Sequence, residues 1–374
     1  MKILHVYKTY YPDPPGGVQE ALRSICALTQ PYGFEHTIFT LSPRPVPHEI
    51  DLPEARIVRA RAWMRPASTD IGFVDALRRF RVLASEADLI HYLFPWPFAD
   101  VLHHAARPKA PAVMTYVSDV ERQKFLNRMY RPLRNSMLSQ MQRIAVSSPN
   151  YANTSPVLRS VDVQEKLHTI PFGIADPAVD PPGPPSMLGR LCISAKRPYF
   201  LFLGVLRYYK GLDFLLKAAK AVDAQIVIAG QDAQYGQLQR LKEDLGLDNV
   251  VFTGQVDQAE KRALMKNCLA FVFPSHLRSE AFGLALVEAA AFGKPMITSE
   301  IGTGTSYINL HDETGLVVPP ADPAALAEAM HRFLNDPQGV KRMGKAARLR
   351  YETLFDGKAM GESYARFFEG STPR

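Results

Sequence analysis

The chain has 374 residues, 47% of them hydrophobic and 22% charged, a globular profile longer than one core holds, so two domains of ordinary size are expected. Its net charge of +7 points to an anionic partner. With no zinc-finger spacing, no RNP-like aromatic motif and no Lys/Arg block, nucleic acid gives way to phosphorylated small molecules or an anionic membrane face.

In chain order, residues 3–7 read as a strand that begins without the apolar core of a signal peptide. No apolar run reaches about 18 residues, so no membrane span is expected. The three cysteines, Cys26, Cys192 and Cys268, lack metal or redox spacing and suit reduced thiols of a cytosolic protein. A loop holding Gly16-Gly17 precedes a helix over 18–30. Paired glycines there let backbone N–H groups approach a ligand, or simply make a tight turn. They do not complete the GxGxxG fingerprint, which argues against a nicotinamide enzyme.

Strands follow at 36–41, 56–60 and 88–92. The aromatic stretch from His91 through Trp96 to Asp100 follows a strand end. It lines an acceptor pocket or packs on the core. A strand over 112–116 leads to Val117-Ser118-Asp119. Next comes a helical segment over 121–142, kinked near Pro132. On a helical wheel Lys124, Arg128, Arg131 and Arg134 gather opposite Phe125, Leu126, Met129, Leu133 and Met137. That is either a surface helix with its stripe in the core or a contact to an anionic membrane. Further strands at 144–147 and 167–170 complete a first parallel α/β sheet. Residues 176–185 carry five prolines, fit neither helix nor central strand, and mark the domain boundary.

The second half restarts the rhythm. A strand over 199–203 ends in Gly204-Val205-Leu206-Arg207-Tyr208-Tyr209-Lys210-Gly211. Two cations in a loop between strand and helix suit a diphosphate. Strands at 225–229, 250–253, 269–273, 295–299 and 315–318 alternate with helices, and Gly254 closes one strand. After the 269–273 strand comes Ser279-Glu280-Ala281-Phe282-Gly283-Leu284-Ala285-Leu286-Val287-Glu288. Glu280 is expected at the loop end beside the free N–H groups of a helix, with Glu288 about two turns further in. A tail helix over 356–368 presents Met360, Tyr364, Phe367 and Phe368 on one face, which must dock.

The two glutamates with seven residues between them, the Lys210-Gly211 pair and the Gly16-Gly17 loop together resemble the retaining glycosyltransferases of family 4. The runs 207–211, 278–283 and 302–307 look like a branch of mannosyl- and rhamnosyltransferases of bacterial surface polysaccharide and O-antigen assembly. The resemblance implies an α/β GT-B fold, with two Rossmann-like domains facing a cleft. Residues 1–178 would bind the acceptor, joined by a returning helix over 355–374. Residues 179–354 would bind the nucleotide-sugar.

By the same resemblance Glu280 touches the sugar hydroxyls and Glu288 the ribose. Lys210 and Arg207 neutralise the diphosphate. From their positions in loops and at strand ends, donor contacts are also expected at Gly16, Gly17, Phe282, Gly283, Leu284 and Gly254, and acceptor contacts at Ser118, Asp119, His91 and Trp96. Neither metal nor cofactor is expected. The partners are a nucleotide-sugar donor, GDP-linked in the branch, a glycan or lipid-linked acceptor, and the inner membrane face through residues 121–142. The expected location is the cytoplasm. Two departures stand out: Val205 replaces an Arg common after the glycine, and no His follows the 112–116 strand.

No side chain is an obvious covalent nucleophile, so same-face attack is expected, with the departing phosphate taking the acceptor proton. Two other classes remain open. A two-domain sugar receptor would bind donor without releasing nucleoside diphosphate, and a sugar-nucleotide epimerase would need no acceptor.

Overall fold

A computed structural model describes the chain outside residues 14–15, 65–69, 121–123, 180–185, 192, 195–196, 232–233 and 373–374. Cys192, the start of the 121–142 segment and most of the proline-rich break lie outside the described residues, as do the side chains of residues 124–127. The chain divides into two compact units. The first is Met1–Phe172 with Gly357–Arg374, the second Gly173–Asp356.

The first unit carries eight strands: β1 (Lys2–Val6), β2 (Glu35–Ser42), β3 (Glu49–Leu52), β4 (Ala55–Arg61), β5 (Leu89–Phe94), β6 (Ala112–Tyr116), β7 (Arg143–Val146) and β8 (Leu167–Thr169). They order as β3-β4-β2-β1-β5-β6-β7-β8. All pairs are parallel except the β3–β4 hairpin. Every residue of β5 and β6 is buried, as central strands covered on both faces require. The helix Gly17–Thr29 follows β1, and the terminal helix Gly357–Glu369 packs beside it. Met360, Tyr364, Phe367 and Phe368 are buried, so the expected stripe docks on this unit. Gly361 permits the approach, since a Cβ there would meet the Leu28 carbonyl oxygen at 2.7 Å.

The helix Lys124–Gln140 contains Pro132, but the two-faced wheel does not hold. Arg134 is 4% exposed and Met129 69%. The cause is a long-range partner. Buried Asp100, on the helix Pro97–Ala106, accepts a hydrogen bond from Tyr130 and lies in the field of Arg134. Burial pushes its carboxyl up to about 8, and an inward arginine offsets part of that cost. Arg128 and Arg131 stay exposed.

The second unit is built on β9 (Tyr199–Leu203), β10 (Gln225–Ala229), β11 (Val250–Gly254), β12 (Ala270–Phe273), β13 (Met296–Ser299) and β14 (Gly315–Val318). Its order is β11-β10-β9-β12-β13-β14, parallel throughout. The order reverses between β9 and β12, and ligands of open α/β sheets bind beyond the carboxyl ends of strands at such a point. Where the chain enters and leaves this unit, its segments run side by side. The Ile174 N–H donates to the Phe355 carbonyl at 3.1 Å. Arg348 grips Asp176 with two N–H donors, at 2.6 and 3.1 Å, holding that carboxyl below its ordinary range.

Candidate active site

Two loops meet at the β9/β12 switch point. After β9 the chain turns through Gly204 to a single 3₁₀ turn, Tyr208–Lys210, and then Gly211 opens the helix Leu212–Ala219. Gly211 has φ +69°, and a Cβ there would meet the Pro274 carbonyl oxygen at 2.1 Å. Only glycine lets this loop sit so close to the end of β12. The His276 N–H then donates to the Tyr209 carbonyl at 2.9 Å, joining the loops.

This contact brings Lys210 to Glu280. Their side chains, 12% and 11% exposed, form an ion pair. The ammonium also lies 4.2 Å from the Phe273 ring centroid, so the cation has an anionic partner and an aromatic face. In the same loop Ser275 Oγ and His276 Nδ1 are buried with no hydrogen-bond partner among the described residues, the kind of orphan a polar ligand satisfies.

The helix after Glu280 starts later than expected. Gly283, with φ +95°, is its N-cap, and the helix runs Leu284–Ala291. Glu280 thus lies in the preceding turn, and Glu288 just over one turn inside the helix. Glu288 binds Lys261 at 2.5 Å, a residue of the helix Gln258–Asn267 that sequence reasoning missed. The Gly304 N–H donates to the Ala281 carbonyl at 2.9 Å, and a Cβ at Gly304 would meet Phe282 at 2.5 Å. Phe282 is therefore buried as a wedge between loops, while its backbone and those of Gly283 and Leu284 form the turn into the helix. Arg278 spans to the Gly302 carbonyl at 3.0 Å.

The ends of β9, β10 and β11 form a backbone shelf. Gly204 donates to the Ala229 carbonyl at 3.0 Å and Gly230 to the Gly254 carbonyl at 2.8 Å. A Cβ on Gly230, which has φ +141°, would lie 2.0 Å from the Gly204 carbonyl oxygen. Gly254 was expected at the site, but Gly230 was not; a glycine directly after a strand was the available signal. Arg207 and Val205 are exposed on the loop after β9.

In the first unit Gly16 caps the helix Gly17–Thr29 with extended backbone, and a Cβ on Gly17 would touch nothing within 4 Å. Neither glycine is there for a left-handed turn. Three of the residues expected at the acceptor, Trp96, Asp119 and His91, have hydrogen-bond partners inside this unit. Trp96 is buried, its indole N–H donating to the Asp70 carbonyl at 2.9 Å. Asp119 is buried and accepts hydroxyls from Tyr116, Tyr151 and Ser155 at 2.8, 3.1 and 2.7 Å, which makes it a brace between segments. Ser118 is half-buried beside it.

His91 is also internal, one member of a buried chain. Thr29 donates its hydroxyl to the Ile25 carbonyl at 2.6 Å, so it accepts from His36 Nε2 at 3.0 Å. His36 Nδ1 then accepts from His5 Nε2 at 2.9 Å, and His5 Nδ1 from His91 Nδ1 at 2.8 Å. His91 Nε2 accepts from Thr115 at 2.7 Å, and Thr115 from Tyr364 at 3.1 Å. Each ring has one proton and one lone pair, so a single direction satisfies all three. Burial lowers all three histidines, His36 to about 4 and His91 to about 3. Among the described residues His5, Cys26 and His36 form the one group with metal-ligand proximity. The ring nitrogens are spent in this chain and burial pushes the thiol up, so packing accounts for the group.

A double α/β architecture with a lysine–glutamate pair at the second sheet's switch point defines a class, and comparison with known proteins names it. Residues 16–173 match the family described as "Glycosyl transferase 4-like domain" and residues 190–350 match "Glycosyl transferases group 1". The chain is 43% identical to D-rhamnosyltransferase WbpZ of Pseudomonas aeruginosa over 95% of its length and 92% of that protein. It is 39% identical to O-antigen chain mannosyltransferase C of Escherichia coli over 98% of each. Sucrose-phosphate synthase of Thermosynechococcus elongatus superposes with TM-score 0.79 at 23% identity, covering 99% of this chain and 98% of that one. HepE of Anabaena, solved with UDP-glucose, gives 0.77 at 19%, covering 99% and 100%. The chain belongs to the family 4 glycosyltransferases and has the GT-B fold.

Proposed function

We propose that this glycosyltransferase moves a mannose- or rhamnose-type hexose from a GDP-linked donor, with retention at the anomeric carbon and without a metal. The acceptor is a lipid-linked or polysaccharide glycan of O-antigen assembly. The Lys210–Glu280 pair carries the reading. A cation for the leaving diphosphate and a carboxylate for sugar hydroxyls stand together where a wound sheet binds ligands. The activities named for the two full-length relatives support the sugar class and the pathway.

On donor binding Lys210 turns part of its charge to the diphosphate, with exposed Arg207 as a second cation. Glu280 exchanges the ammonium for sugar hydroxyls, and Glu288 leaves Lys261 in part for the ribose. The glycine shelf at 204, 230 and 254 gives the nucleotide access to backbone. The acceptor oxygen then attacks on the face the diphosphate leaves, and a phosphate oxygen takes its proton, so positioning and charge stabilisation supply the catalysis.

Incubation with GDP-mannose or GDP-rhamnose and a lipid-linked acceptor tests this. Release of GDP with a product of donor-like anomeric configuration is expected. Donor binding without release would indicate a receptor, and donor conversion without acceptor an epimerase.

A further inference from the structure

We propose that the edge of the first unit built from the end of β4 and the start of the helix Val74–Glu86 is a docking surface for an anionic lipid bilayer. Trp63, Met64, Phe73 and Val74 are 55%, 52%, 51% and 80% exposed. Four large apolar side chains displayed together are unusual on a soluble surface and mark a contact site.

The surface is built rather than frayed. Trp63 and Phe73 meet edge to face at 5.8 Å between centroids. The Trp63 N–H donates to the Ile71 carbonyl at 3.0 Å, and the Ile71 N–H returns to Met64 at 3.0 Å. Beneath them buried Trp96 holds the Asp70 carbonyl.

Charge selects the occupant. The Arg61 guanidinium lies 4.3 Å from the Trp63 ring centroid, and exposed Arg78 follows Val74 by one helical turn. The acids nearby are engaged: Asp70 is buried and Asp75 accepts from Arg79 at 2.9 Å. An indole and aliphatic groups interleaved with arginines match the boundary between acyl chains and anionic headgroups, where rings and stems enter and guanidinium groups stay with phosphate. A bilayer is also where a lipid-linked acceptor resides, so the purpose of this surface, though not its chemistry, rests on the proposed function. The helix Lys124–Gln140, with Arg128 and Arg131 exposed and Arg134 buried, is the alternative membrane face.

The chain has two tryptophans, and Trp96 is buried, so the emission of Trp63 reports directly. The full chain is titrated with vesicles of phosphatidylglycerol or of phosphatidylcholine, with neither donor nor acceptor present. A blue shift and co-sedimentation with phosphatidylglycerol alone are expected. In the sedimentation assay Arg61→Ser should weaken binding by about fivefold, the share of one cation near an anionic surface, and W63S/F73S should abolish it. Failure to bind phosphatidylglycerol overturns the proposal. So does loss of binding in R128E/R131E but not in W63S/F73S, or concentration-dependent self-association that W63S/F73S removes without any vesicle binding. No donor is present, so vesicle binding and transferase turnover fail separately.

Discussion

Lys210 and Glu280 come from loops after β9 and β12 and meet as a largely covered ion pair above Phe273. Their spacing along the chain hides this; the adjacency of β9 and β12 creates it, with Phe271 in register with Leu201. Removing one partner strands the other with little water. Lys210→Met alone should lower the unfolding free energy by about 3 kcal/mol, and K210M/E280Q by less than the single change, because the double variant leaves no unpaired charge. Urea unfolding of wild type, K210M, E280Q and K210M/E280Q measures the coupling.

Glycine at 211 is a geometric requirement for that pair. Gly211→Ala must take a left-handed φ and place a methyl 2.1 Å from the Pro274 carbonyl oxygen. We expect a loss of at least ~2 kcal/mol and a displaced Lys210, hence reduced turnover in whatever fraction stays folded. Gly230→Ala, whose Cβ would meet the Gly204 carbonyl oxygen at 2.0 Å, should behave alike. Gly17→Ala, with open space around it, should fold normally. Thermal unfolding of the three variants separates these cases.

The histidine chain makes stability depend on pH. The folded pKa values of His5, His36 and His91 lie below the unfolded value, near 4 for His36 and near 3 for His91. Above about pH 6.5 both states are neutral and the full stability is present. As pH falls toward 4 the unfolded chain binds protons that the folded chain refuses, so stability drops. Denaturant midpoints from pH 7.5 to 4.5 should fall accordingly. Tyr364→Phe should lower them by a constant amount, about 1 kcal/mol for one hydrogen bond, without changing the slope.

The two glutamates should divide kinetically. Glu288 sits inside its helix on Lys261, while Glu280 shares Lys210. Glu288→Gln should raise KM for donor by about tenfold, the worth of one hydrogen bond to a charged group, with kcat little changed. Glu280→Gln should mainly lower kcat. Initial rates over a range of donor concentrations make the split visible, and equal effects on kcat from both variants would refute it.

Much of the architecture was legible because parallel strands buried on both faces are apolar runs, and because the stripe Met360, Tyr364, Phe367, Phe368 has one period. The places of Lys210, Glu280 and Gly254 at the ends of β9, β12 and β11 were legible by motif and position after strands. What escaped depends on distant partners. Arg134 turns inward to a carboxylate on another helix, and Lys261 reaches Glu288. Asp119 is claimed by three hydroxyls, and His91 by a neighbour on β1. Local periodicity contains no record of which strand lies beside which.

The most direct test pairs calorimetric titration of GDP with turnover of GDP-linked hexose, for wild type, Lys210→Ala and Glu280→Ala. The account predicts that wild type binds GDP, that Lys210→Ala loses about a hundredfold or more in kcat, as when a donor to a developing anion is removed, and that Glu280→Ala still binds GDP but turns over poorly. Wild-type turnover in both variants would contradict it.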